Sequence, residues 1–143
     1  MMYQATQRIA DAFAAADLKH QAQELGPLSF VEAGFNGDNC TFRLRFISLD
    51  DDNDVKAMTE DFAKIPAARR DAGCRLMNEL NREYKYFKFT MDDNGAVCVQ
   101  YDFPVTVSEE EVGSIAMEVA LRCAKVVDDA YPRIMQVIWG AAE

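Results

Sequence analysis

Few residues in this 143-residue chain have the types and spacing that chemistry requires. Its one histidine, His20, stands among Lys19, Gln21 and Gln23 on what reads as a helix surface, a solvated setting that gives no nucleophile a base. Cys40, Cys74, Cys98 and Cys123 are more than twenty residues apart, with no C-x-x-C pair, so neither a zinc site nor a disulfide framework is expected. They read as reduced core residues. Asp50-x-Asp52-x-Asp54 has the alternating carboxylates that open a calcium loop, but position six is Val55 and position twelve is Asp61. Such a loop needs glycine at six for its sharp turn and a bidentate glutamate at twelve, so a solvated turn is expected instead. The other acidic groups, Asp92-Asp93, Glu109 to Glu111 and Asp128-Asp129, fall where turns and helix ends already account for the charge. No G-x-S-x-G elbow, G-x-x-x-x-G-K phosphate loop or G-x-G-x-x-G fingerprint occurs. The expectation is a protein without catalytic residues, metal or cofactor.

Charge is uneven in one place. Residues 64 to 88 hold seven basic and three acidic side chains, net +4, whereas the chain as a whole carries −9. Tyr84, Tyr86 and Phe87 stand beside this basic ridge and make a nucleic-acid surface conceivable, but cations near a helix C-terminus also offset its dipole. The overall acidity weighs against nucleic acid or an anionic membrane as the main partner. The first twenty residues are broken by Arg8, Asp11, Asp17 and Lys19, unlike a secretory signal, and no window approaches a membrane span. A cytoplasmic location is expected.

These side chains are positioned by a pattern that alternates between helix and strand periods. Tyr3 to Leu25 carries Ile9, Ala12, Phe13, Ala16 and Leu25 at three-to-four spacing and stops at Gly26-Pro27, so the spacing predicts a first helix over that span. Leu28 to Phe35 and Cys40 to Ser48 read as hairpin strands around Asn36-Gly37-Asp38-Asn39, with Phe42, Leu44 and Phe46 inward and Arg43 and Arg45 outward. Val55 to Phe62 alternates weakly and suggests a third, edge-like strand. Pro66 opens a second helix to Tyr84, striped by Gly73, Leu76, Met77, Leu80 and Tyr84. Tyr86 to Met91 and Ala96 to Val105 form a hairpin about Asp92-Asp93-Asn94-Gly95. Ser108, as an N-cap with Glu111 reaching back, opens a third helix in which Pro132 should produce a kink or a restart before Ile134 to Trp139. The expected order is α-β-β-β-α-β-β-α, an α+β domain over residues 1–143 with an antiparallel sheet covered by helices.

The run Leu76-Met77-Asn78-Glu79-Leu80-Asn81, then Tyr86 to Met91 with Asp93-Asn94-Gly95, then Ser108-Glu109-Glu110 opening a helix through Tyr131-Pro132, resembles the YbjN family. The resemblance spans Val55 to Trp139, and the layout is similar to the type III secretion chaperone-like fold. It implies a bacterial, non-enzymatic sensory-transduction or stress regulator, and a protein-binding chaperone by fold; it carries over no catalytic residue. Asn78 and Asn81 are the matched motif positions, three apart on one helix side, where they can bond nearby loop backbone. The acidic Asp50 to Asp54 segment and the high net charge depart from the pattern.

A homodimeric, protein-binding module is therefore the expected function. Its candidate interface is Met77, Leu80 and Tyr84 on the second helix with Met135, Ile138 and Trp139 at the C-terminal end, the last too apolar for one face of a terminal turn to wrap. Trp139 as a cap on the sheet is the structural alternative. The other functional reading is a regulator that meets nucleic acid or a small ligand at the basic second helix or in a sheet cleft.

Overall fold

The computed structural model describes residues 2–49, 53–105 and 109–140. Three helices and seven antiparallel strands make an α+β fold: α1 (Gln4–Ala15), β1 (Gln21–Leu25), β2 (Leu28–Asn36), β3 (Thr41–Ser48), β4 (Asp54–Thr59), β5 (Ala63–Lys64), α2 (Arg70–Glu83), β6 (Lys88–Met91), β7 (Ala96–Pro104) and α3 (Val112–Trp139). The hydrogen-bonded path runs β1-β2-β3-β4-β7-β5, with β6 also paired to β7. Strands β4 and β6 both oppose Gln100, so they lie on opposite sides of β7 and β6 closes that end of the sheet. The apolar face gathers Val31, Phe42, Leu44, Phe46, Val55, Phe89, Val97 and Val99 against Ile9 and Phe13 of α1, Leu76 and Leu80 of α2, and Cys123, Val127 and Ile134 of α3. The other face is wet: Glu32 pairs with Arg45 at 3.3 Å and with Arg43 at 3.8 Å, and the Arg45 guanidinium sits 4.5 Å above the Phe30 ring.

The predicted class and the order of the longer elements stand, but the first helix is shorter than its periodicity suggested. Residues 21–25 form β1 instead. The helix stops because Asp17 takes φ +56, after which the Asp17 and Leu18 amides donate to Ala14 O (3.1 Å) and Phe13 O (2.9 Å). That is a Schellman stop with aspartate in the place usually held by glycine. Gly26-Pro27 then makes the tight β1–β2 turn between the paired Leu25 and Leu28, with Gly26 at φ +57. His20 consequently lies off the helix, its Nδ1 2.8 Å from Leu18 O and its ring edge-on to Phe13.

The third expected strand is β4, and it is central, between β3 and β7. Its weak alternation reflects the small buried residues Ala57 and Thr59 on the inward side. Past Thr59 the ladder is interrupted, and the Thr59 hydroxyl takes the Val99 N–H at 2.9 Å before β5 resumes pairing. Of the acidic segment Asp50 to Asp54, only 53 and 54 fall among the described residues, and Ser108, the expected cap of α3, also lies outside them.

α3 runs unbroken through Pro132. Proline cannot donate to Asp128 O, and that orphan carbonyl instead accepts from Asn39 Nδ2 at 3.1 Å. Asp128 Oδ1 accepts from the Asn39 and Cys40 amides at 2.7 and 3.1 Å, and the missing side chain of Gly37 leaves room for this carboxylate. The β2–β3 turn is thereby bolted to the helix, which removes the reason for a restart. Replacing Asp128 with alanine strands two amides, and the half-exposed site should lose about 2 kcal/mol of unfolding free energy. A denaturant titration showing a loss under about 0.5 kcal/mol would contradict this bolt.

Candidate docking groove

Small residues line the approach to α3, Ala68 in the short turn that precedes α2 and Ala72 in the first turn of α2, and where two helices approach across small side chains a furrow is left between them. It is an open groove of about 520 Å³ between α2 and the C-terminal turns of α3. Ala72, Leu76 and Val137 give it apolar walls, Arg69 and Arg75 stand on the α2 side, and Arg133 and Gln136 on the α3 side. Its width is set by Arg133, whose Nη1 donates to Glu83 at 2.7 Å and whose Nη2 donates to Glu79 at 3.2 Å. One turn beyond Gln136, Trp139 is 81% exposed, more than any other large apolar residue described.

The candidate interface residues divide sharply by burial. Met77 (6% exposed) and Leu80 (0%) belong to the core, so they cannot face a partner while the fold is intact. Their spacing marks the buried stripe of α2, and a core stripe and an interface stripe look alike in a sequence. Tyr84 is half-buried against Phe89, with ring centroids 5.9 Å apart, and burial followed by the charges of Asp129 and Glu83 raises its hydroxyl pKa. Ile138 is buried and Met135 half-buried; Trp139 alone of the six stands in solvent and does not cap the sheet.

The asparagine pair divides as well. Asn81 Oδ1 accepts from Phe89 N at 2.6 Å and its Nδ2 donates to Phe89 O at 3.1 Å, so one side chain occupies the free edge of β6 as a strand would. Asn78 is exposed and makes no hydrogen bond among the described residues. Asn81→Asp keeps the shape but turns an acceptor onto the Phe89 carbonyl, and should cost about 1–3 kcal/mol. Asn78→Asp should stay within about 0.5 kcal/mol, and equal losses for the two in thermal unfolding would contradict this assignment.

The basic ridge is partly consumed by structure. Arg70 donates through Nη1 to Asp93 O at 2.7 Å and through Nε to Ile65 O at 3.3 Å, holding α2 to the β6–β7 turn. Glu79 and Glu83 interrupt it further, so the ridge is no continuous cationic strip. A second hollow of about 220 Å³ lies under Tyr86, which holds φ +73 and whose ring is tilted against Tyr101 with centroids 5.6 Å apart; no residue type in the sequence marks that left-handed tyrosine.

Thiol chemistry is muted. Burial pushes Cys123 up to about 12, burial with the Asp128 and Glu60 charges pushes Cys40 up to about 11, and burial raises Cys98. Cys74, against expectation, is exposed on α2. Because the folded protein holds the Cys123 proton more tightly than the open chain, its contribution is complete below about pH 9 and is lost as pH rises toward 12. Expected are one thiol reacting rapidly with a disulfide reagent at pH 8 and an alkaline loss of stability that is smaller in Cys123→Ala. Rapid modification of all four thiols in the folded protein would refute this.

Among the described residues, no three His, Cys, Asp or Glu side chains converge as metal ligands, and no helix is long and apolar enough to cross a membrane. A family model described as "YbjN: Putative bacterial sensory transduction regulator" matches residues 6–133. Among solved structures, the chain is similar to one described as "Crystal structure of YbjN, a putative transcription regulator from E. coli", with a TM-score of 0.55 at 13% identity. That likeness covers 89% of this chain and 91% of the other, and at such identity it speaks for the fold alone. Comparison with curated proteins gives no match.

Proposed function

The chain belongs to the YbjN family, and from that premise we propose that it is a non-enzymatic regulator that works by docking a protein partner at the α2–α3 groove. The observation that carries this reading is the pairing of an open, partly apolar groove of about 520 Å³ with Trp139, 81% exposed one turn beyond its rim. Tryptophan at such exposure gives up favourable burial in the free protein, and aromatic residues beside a concave apolar surface are the usual anchors of an interface. The partly polar walls suit a partner that comes and goes, as a regulator's partner must.

The test is a photo-crosslinking amino acid placed at Gln136 on the rim or at Arg43 on the wet face, with adducts read in living bacteria. A discrete adduct from position 136 that is absent from position 43 and reduced by Trp139→Ala is expected. Equal adducts from both positions, or none from 136, would overturn the groove as the docking site.

A further inference from the structure

We propose that the groove's occupant is an acidic, amphipathic peptide segment of the partner, with an apolar side chain seated on Ala72, Leu76 and Val137 and two carboxylates on Arg69 and Arg75. This rests on the docking reading and adds the partner's chemistry. Charge decides it. Of the three arginines at the groove, Arg133 is already committed to Glu79 and Glu83. Arg69 and Arg75 make no ion pair or side-chain hydrogen bond among the described residues, and they flank Ala72 three residues to either side. Arg69 immediately precedes α2 and Arg75 lies six positions further on, so at about 1.5 Å per residue their backbones stand roughly 9 Å apart along the helix axis, a separation that two carboxylates on one peptide can match. A guanidinium prefers a carboxylate in a bidentate fork and gains most where apolar surface around it excludes water.

The surroundings choose among anions. The chain carries −9 overall, so attraction to an acidic partner is short-ranged and confined to this groove. A nucleic-acid backbone would lay one charge per ~1.7 Å across Asp71 and Glu79, which line the same groove. A peptide can set two carboxylates on the arginines and leave those acids facing neutral residues. The groove is also open, which suits a chain passing along it better than a small molecule that must be enclosed.

The probe is a fluorescein-labelled 16-residue amphipathic helical peptide with leucines on one face and glutamates flanking them, followed by anisotropy and by Trp139 emission. Companion peptides carry glutamine or lysine in place of each glutamate. The glutamate peptide is expected to bind about tenfold or more tighter than the glutamine peptide. The double variant Arg69→Glu, Arg75→Glu, checked for an unchanged thermal transition, should reverse the preference toward the lysine peptide, which a purely structural role for the arginines would not produce. Equal binding of the glutamate and glutamine peptides overturns the acidic preference and leaves the docking reading standing. No binding by any peptide at millimolar concentration, with Trp139 emission unmoved, overturns both. Sedimentation showing a second copy held in the groove, and released by the double variant, overturns the peptide as occupant.

Discussion

Leu80→Asp is expected to abolish cooperative folding, while Trp139→Asp leaves stability within about 0.5 kcal/mol of the parent. Leu80 is fully buried on α2, packed in the cluster that joins the sheet to α3. Removing its methyl groups alone costs about 2–5 kcal/mol, as it does for other buried leucines cut to alanine. The carboxylate adds the penalty of burying a polar group without a partner, and a charged form costs more still. A domain whose total stability is roughly 5–15 kcal/mol has little margin for both. Trp139, by contrast, is 81% exposed and gives up little on substitution. Urea titration of the two variants decides the matter: a cooperative transition for Leu80→Asp near the parent midpoint would return Leu80 to the surface and refute the buried placement of the α2 stripe.

That contrast also shows which parts of the molecule were legible in the sequence. Alternation placed Phe42, Leu44 and Phe46 inward and Arg43 and Arg45 outward, and the structure agrees, because a sheet with one dry face leaves period two in the residues. The β6–β7 hairpin was readable for the same reason, and its register joins Phe89 to Val99 and Met91 to Val97. The stop of α1 was not readable. It depends on Asp17 accepting a left-handed conformation, which aspartate does at moderate cost and which leaves no punctuation comparable to glycine. Strand β1 was hidden too, because all five of its residues are exposed and nothing about Gln21 to Leu25 alternates between core and solvent.

The groove was half legible. Helical spacing showed that Met77, Leu80 and Tyr84 share a stripe and that Met135, Ile138 and Trp139 exceed what a terminal turn can bury. It could not show that the α2 stripe faces inward while the neighbouring Arg69, Ala72 and Arg75 form the open wall. That distinction depends on where α3 crosses, and the crossing is fixed by contacts distant in sequence: Arg133 to Glu79 and Glu83, and Asp128 to the β2–β3 turn. Asn81 repeats the lesson on a smaller scale, since its partner Phe89 becomes an edge residue only once β6 has found β7.

The wall carrying Arg69 depends in turn on one glycine, and Gly95→Ala is the second substitution with a large expected effect. Gly95 holds φ +85, a conformation that costs an alanine about 1–2 kcal/mol. Its O accepts from Ile65 N at 2.8 Å, and a methyl group at this position would press into the Ile65 carbonyl oxygen, which is backbone and cannot swing away. The Ile65–Gly95 bond must then stretch or break, and a buried amide left unpaired adds about 1–3 kcal/mol. Together the loss should be about 3 kcal/mol. It should also be local, because Ile65 O receives Arg70 Nε, and Arg70 reaches Asp93 O, so the displaced carbonyl pulls on the start of α2. Gly34→Ala is the control: Gly34 lies in β2 with open space where a Cβ would go, and its substitution should be neutral within about 0.5 kcal/mol. The measurement is a denaturant titration of both variants beside hydrogen exchange at Arg69 to Ala72. Faster exchange there in Gly95→Ala, with Gly34→Ala unchanged, ties the groove wall to this turn. Equal stability of the two variants would show that the turn yields freely, and that the groove's geometry is set from α3 alone.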